Sequence, residues 1–376
     1  MRQNGRMIPS NLHVLVVTGP GLVADLRLLT EVADREFAAL GVGGTVSMTS
    51  DLPGFRAALE SPGALVVVPG PDPGARGLFA EYPEAVWLDL TKSEAPLSGA
   101  ADGASGTHLH GRGVWGLTWA IRHAVHRLRR PAHRVGYGDH PEQWAEIRPP
   151  YGTPGQAPSP EADGRTPVAV LLHGGFWRSV WGADLMDALA IDLAERGFAA
   201  WNLEYRRPDL HGWDATTADV ARGIALAAQG ARGPLVVIGH SAGGQLALRA
   251  AADDRRITLA VSLAGVLDLA EGDRRHMSSG AVAAALGGSA AEVPETYLRS
   301  GPLERLPLGV PQLVVQGSGD DLDLVDFSRR YARAAQESGD QVIYLEMSGD
   351  HFDVIDPASP IWRATAGAIA EHGKVT

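Results

Sequence analysis

The chain has 376 residues, 45% of them hydrophobic and 20% charged, which supplies two full cores and excludes global disorder. Its formal net charge of -11 argues against nucleic acid or an anionic membrane surface as a general partner. The absence of cysteine excludes disulfides, thiolate nucleophiles and cysteine metal sites, and fits a reducing, cytoplasmic setting.

The opening segment, MRQNGRMIPSNLHVLVVTG, holds no apolar stretch of secretory-signal length. No segment approaches about 18 uninterrupted apolar residues, so no membrane span is expected. Residues 12–17 (LHVLVV) read as a buried strand and 22–40 as a helix closed by Gly41. TVSMT, ALVVVPG and AVWLDL read as further strands, PGFRAALE starts a helix, and 114–128 forms a closing helix. Strand and helix in alternation mean a parallel sheet covered on both faces. Residues 91–111, rich in Ala, Gly and Ser, read as a mobile loop. The Arg- and His-rich stretch 121–134 reads as a solvated helix and linker.

The alternation restarts near residue 131, giving expected domains of 1–130 and 131–376. Residues 143–148 (QWAEIR) read as the second block's opening strand, and the Pro-rich stretch 149–167 as a long hairpin connection at the sheet edge. Strands follow at PVAVLLH, AAWNLEY, PLVVIGH, ITLAVSLAG, PQLVVQG and QVIYLEM, with helices expected over 185–196, 217–229, 327–338 and 361–372.

The strand PLVVIGH runs into Gly239-His240-Ser241-Ala242-Gly243 and an Ala-rich helix. This is G-x-S-x-G in the strand–turn–helix setting that exposes a serine nucleophile on a tight, strained turn. His173-Gly174-Gly175-Phe176-Trp177 follows another strand directly. Acyl transfer builds a charged oxygen that needs backbone donors already in place. The expected oxyanion donors are the N–H of Ala242 and that of Gly175 or Phe176. The remaining triad members should follow in the order acid, then histidine. Gly317-Ser318-Gly319-Asp320 offers Asp320, with Asp321 and Asp323 as competitors, and Ser348-Gly349-Asp350-His351 offers His351 as base. His351 would take the proton of Ser241, Asp320 would orient the imidazole, and water would release the acyl group. No metal or organic cofactor is expected. His108 and His110 have no carboxylate placed to complete a metal site.

Phe176, Trp177, Trp181, Tyr205 and Trp213 lie in loops at the expected catalytic end. Trp177, Tyr205 and Trp213 are candidate pocket residues, and stacking on substrate and plain loop packing both stand open. Arg178, Arg206 and Arg207 could bind a substrate carboxylate, or be solvated.

HGGFW, GHSAGG, GSGD and GDHF occur in that order from Tyr137 onward, and this block resembles the α/β-hydrolase superfamily in its esterase and kynurenine-formamidase-like branch. The resemblance implies hydrolysis of a small carboxylic ester or amide, such as an aryl formamide. Gln316 departs from it, since relatives often place His before that Gly. An acyltransferase, cyclase or peptidase would use the same triad, and an inert binding or scaffold protein the same fold.

The first block, through VVTGPG, SDLPGFRAALE, ALVVVPG, WLDLTKSEAP and GRGVWGLTWAIRHAV, is similar to type II 3-dehydroquinate dehydratase, a small flavodoxin-like fold. The family's lid loop with its Arg and Tyr is missing after Gly21. Its catalytic His is missing after Pro69-Gly70-Pro71-Asp72, and Asp89 replaces the His before Leu-Ser. The expectation is a non-catalytic domain that assembles the protein into a homo-oligomer.

Overall fold

Short apolar runs separated by amphipathic helical segments build two sheets. They are seen in a computed structural model that describes residues 12–91, 106–151 and 166–375. The chain divides into two units, Met1–Pro131 and Ala132–Thr376.

In the first unit, β1 (His13–Thr18), β2 (Gly43–Met48), β3 (Ala64–Val68), β4 (Val86–Leu88) and β5 (Thr107–Leu109) pair in the order β2-β1-β3-β4-β5. Every pairing is parallel. The order is the flavodoxin-like 2-1-3-4-5 arrangement. Its helices are α1 (Leu26–Leu40), α2 (Leu52–Leu59), α3 (Pro73–Gly77) and α4 (Gly116–Arg129). Helix α1 begins later than the hydrophobic pattern predicts. Asp25 caps it by accepting from the Leu28 N–H at 3.1 Å, and an N-cap of this kind sets the start of a helix. Strand β5 falls inside the stretch read as a loop. Three residues are too few for period-2 alternation to show, and 92–105 lie outside the described residues.

In the second unit the strands are β6 (His133–Gly136), β7 (Trp144–Arg148), β8 (Val168–Leu172), β9 (Ala199–Leu203), β10 (Leu235–His240), β11 (Leu259–Leu263), β12 (Gln312–Gly317) and β13 (Val342–Met347). Their order is β13-β12-β11-β10-β8-β9-β7-β6. Only β7 runs against its neighbours β6 and β9. Every residue of β8, β10, β11 and β12 is buried, which is why these runs lack polar alternation: a parallel sheet is covered on both faces. The helices are α5 (Asp187–Glu195), α6 (Pro208–His211), α7 (Trp213–Ala227), α8 (Ala242–Asp253), α9 (Leu269–Arg274), α10 (Met277–Leu286), α11 (Pro294–Ser300), α12 (Leu322–Glu337) and α13 (Pro360–Val375). This is an α/β-hydrolase fold preceded by the smaller flavodoxin-like unit.

Two expectations change. The Pro-rich connection after β7 is not a hairpin link, because β8 pairs with β10 and β9 while β7 pairs with β6 and β9. Residues 152–165 of that connection lie outside the described residues. The hairpin partner of β7 is β6 instead, a short strand whose HRVG sequence gives no apolar signal. No helix among the described residues is long and apolar enough to cross a membrane.

Candidate active site

Ser241 is the residue between β10 and α8, with φ 54° and ψ -120°. A non-glycine residue in that region costs about 1–3 kcal/mol and persists only when its surroundings hold it there. Here the surroundings are backbone. The Ser241 N–H donates to the Leu263 oxygen at 2.8 Å, and its own carbonyl accepts from the Gly244 N–H at 2.9 Å. A Cβ at Gly239 would lie 1.9 Å from the Gly243 oxygen, and one at Gly243 would lie 2.2 Å from the Leu172 oxygen. The glycines flanking the serine are therefore required by backbone against backbone, and the strand–turn–helix can close only with them. The first peptide of α8 directs its partial positive charge toward the serine side chain.

The loop after β8 lies against this turn. A Cβ at Gly174 would stand 2.8 Å from both the Ser241 Cβ and the His240 oxygen. Gly175 (φ 109°), Phe176 (φ 50°) and Trp177 (φ 56°) form a run of positive φ. The backbone N–H groups of Gly175, Phe176 and Ala242 donate no hydrogen bond among the described residues. They are the donors expected of an oxyanion hole, on the two loops that meet at Ser241.

Asp320 and His351 are brought together by the ends of the neighbouring strands β12 and β13. The Gly319 N–H donates to the Gly349 oxygen at 2.9 Å, and a Cβ at Gly317 would stand 2.5 Å from that same oxygen. His351 Nδ1–H donates to Asp320 Oδ2 at 2.8 Å. With that proton on Nδ1, the neutral ring keeps its lone pair on Nε2, as a general base requires. Asp321 accepts from the Asp323 N–H and caps α12, while Asp323 pairs with Arg275 at 2.6 Å. Both competitors for the acid position are thus occupied elsewhere. The Ser241 hydroxyl and the His351 imidazole do not form a hydrogen bond in this structure; the contact between their loops runs through His240. Its ring centroid is 4.7 Å from that of His351, and its Nε2–H donates to the His351 main-chain oxygen at 3.0 Å. Burial, reinforced by the neighbouring His351, holds the His240 imidazole well below its ordinary pKa, so the ring is neutral.

The sequence did not single out the role of His240, nor that of Gln316. Gln316 Nε2 donates to Asp320 Oδ2 at 2.9 Å, and Gln316 Oε1 accepts from Ser328 Oγ at 2.8 Å. It is a buried amide that holds the Asp320 carboxylate. Its location near the C-terminal end of β12, four residues before Asp320, was visible; the inward direction of its side chain was not.

Trp177, Tyr205 and Trp213 need correction as pocket residues. All three are core side chains, each less than a tenth exposed. Tyr205 stacks on His173 with centroids 4.3 Å apart and donates its hydroxyl to the His173 oxygen at 2.7 Å. Trp177 and Trp213 meet edge to face at 6.0 Å. Trp177 Nε1 donates to Gln245 Oε1 at 3.2 Å, and Trp213 Nε1 to Ser300 Oγ at 2.7 Å. Their polar ends are already satisfied inside the protein, so they brace the loops from behind. Phe176 and Trp181 are half-buried. Of the arginines, Arg206 pairs with Asp219 at 2.7 Å, Arg207 is bound between Glu204 and Glu142, and Arg178 donates to the Ser278 oxygen at 2.8 Å.

Residues 157–330 match the family model BD-FAE, a span that includes Ser241 and Asp320 and stops short of His351. No curated protein sequence matches the chain. Among solved structures, a truncated carbohydrate esterase from gut microbiota is 16% identical, with a TM-score of 0.54 over 64% of this chain and 95% of its own. Esterase B from Lactobacillus rhamnosis, in a tributyrin phosphonate-inhibited form, is 17% identical, with a TM-score of 0.55 over 69% of this chain and 92% of its own. A thioesterase-like protein from Silicibacter sp. TM1040 is 20% identical, with a TM-score of 0.51 over 74% of this chain and 95% of its own. At these identities the likeness shows a shared fold, that of the α/β hydrolases.

Proposed function

We propose that the chain is a serine hydrolase cleaving a small carboxylic ester or amide through an acyl-enzyme on Ser241, with His351 as general base and Asp320 as its orienting acid. The observation that carries the reading is the 2.8 Å bond from His351 Nδ1 to Asp320, beside a serine held at φ 54° on a glycine-locked turn. In this scheme Ser241 Oγ attacks the carbonyl carbon while its proton passes to His351 Nε2. The N–H groups of Ala242 and of Gly175 or Phe176 receive the developing oxyanion, each worth about 3–4 kcal/mol in the transition state. His351 then protonates the leaving group and activates the water that frees the acid. Apo triads are often loose at the serine–histidine contact and tighten when substrate binds. The esterases sharing this fold and the BD-FAE match over 157–330 support an ester as the substrate class, and an aryl formamide is the amide to compare with it.

The first unit fits a non-catalytic, dehydroquinate dehydratase-like module that joins copies of the chain. Asp89, where that family has a histidine, is committed to an ion pair with Arg76 at 2.7 Å, which supports the loss of dehydratase chemistry.

The test is hydrolysis of p-nitrophenyl acetate and of an N-formyl aryl amine by wild type and Ser241→Ala. The substitution should lower kcat by about 10⁶ where chemistry is limiting; undiminished turnover in the variant would remove the proposal.

A further inference from the structure

On the far side of the sheet from β13, the turn between β6 and β7 brings His140 and Glu142 to His211, the last residue of α6. One ligand atom from each residue lies within 4.8 Å of the other two. Glu142 Oε2 is 3.0 Å from His211 Nε2 and 4.0 Å from His140 Nδ1, and the two rings meet edge to face at 4.7 Å. The cluster lies three strands from β10, about 14 Å along the sheet, and is no part of the triad.

We propose that His140, Glu142 and His211 bind one divalent transition-metal ion, with Zn²⁺ the best-fitting chemistry. Two imidazoles and one carboxylate are the borderline donors that suit Zn²⁺, with water as the fourth ligand. Hard cations such as Mg²⁺ prefer oxygen alone. Bonds of about 2.0–2.2 Å require the three side chains to close in, with His140 either exchanging the Glu142 N–H that donates to its Nδ1 at 3.2 Å for the ion or presenting its other ring nitrogen. Two further features favour the site. Glu142 divides its oxygens: Oε1 receives Arg207, while Oε2 is sheltered from solvent, makes no hydrogen bond and faces the two histidines. An open cavity of about 540 Å³, bordered by Tyr137, Asp139 and Arg206, reaches the site at His140.

The site has a structural consequence. Arg207, held by Glu142, also binds Glu204, and Glu204 Oε1 lies 3.1 Å from His173 Nε2. An ion fixing Glu142 would anchor α6 to the β6–β7 turn and stiffen the chain of contacts that ends at the Gly174 loop.

The experiment is competition for Zn²⁺ between a chromophoric chelator and the untagged, metal-stripped full chain, with melting temperatures measured in parallel. Wild type should take up one tight equivalent per chain, resist displacement by Mg²⁺ and melt higher with Zn²⁺. His140→Gln and His211→Gln change side chains that are about a third and a quarter exposed. Each should keep the metal-free melting temperature and weaken the tight site by more than about tenfold. Either variant decides the matter, so failure of one to fold leaves the test intact. No tight equivalent in wild type, or unchanged affinity in a folded variant given the other histidines of the chain, would overturn the assignment.

Discussion

The Nε2–H of His240 donates to the main-chain oxygen of His351 at 3.0 Å, so the residue before Ser241 holds the loop that carries His351. Replacing His240 with Ala removes this tie without touching the side chains of the proposed triad. The expected outcome is a kcat lower by about 10–100-fold with KM nearly unchanged, since a displacement near 1 Å is worth about that much. His240→Gln, which can donate at similar reach, should recover part of the loss. Steady-state kinetics of the two variants check this; a loss appearing in KM alone would contradict it.

Gln316 stands between Asp320 and Ser328. Gln316→Leu leaves the Ser328 hydroxyl unsatisfied in the core and removes one donor from Asp320. Denaturant unfolding should show a stability loss of about 1–3 kcal/mol, together with a fall in kcat. Full stability and full activity would show that the amide has no positioning role.

The Ser241 turn and the Asp320–His351 pair were easier to read in the sequence than the side chains packed around them. PLVVIGH followed by GHSAGG encodes a turn that only glycines at 239 and 243 permit, and that steric demand is local. Asp320 and His351 stand just beyond strand ends, so the topology alone brings them together. The contacts of His240 and Gln316 depend on which way a side chain points from a tight turn or a strand end, and no periodicity encodes that. Trp177, Tyr205 and Trp213 sit in loop-like sequence yet are buried, because a loop spanning the end of a sheet needs its own apolar anchors. Strand β6, with valine as its one apolar side chain, is set by its partner β7 and not by its own propensity.

Glu204 predicts an acid limb of stability. Burial alone would raise its pKa, but Arg207 and His173 outweigh that and bring it down to about 2. Because the folded pKa is depressed below the ordinary 4.5, the unfolded chain binds the extra proton between these values. The contribution, about 3 kcal/mol, is therefore present above pH 4.5 and lost as the pH falls toward 2. Glu271 and Glu346 are lowered in the same way, so the comparison is one of slopes. Urea midpoints at pH 5, 4 and 3 should fall less steeply in Glu204→Gln than in wild type, and equal slopes would contradict the assignment.

If the first unit joins copies of the chain, removing residues 1–131 should lower the sedimenting mass to that of a single hydrolase unit. The truncated chain should keep its activity per Ser241. An unchanged number of subunits after truncation would place assembly elsewhere.

The proposed acyl-enzyme is one ester bond on Ser241 Oγ. Acid quenching of the protein during turnover of p-nitrophenyl acetate, followed by peptide mass mapping, should find the acetyl group on Ser241. It should be absent from Ser241→Ala and scarcely formed in His351→Ala. Rapid turnover with no acyl group on Ser241, or an acyl group carried by another residue, would contradict the account.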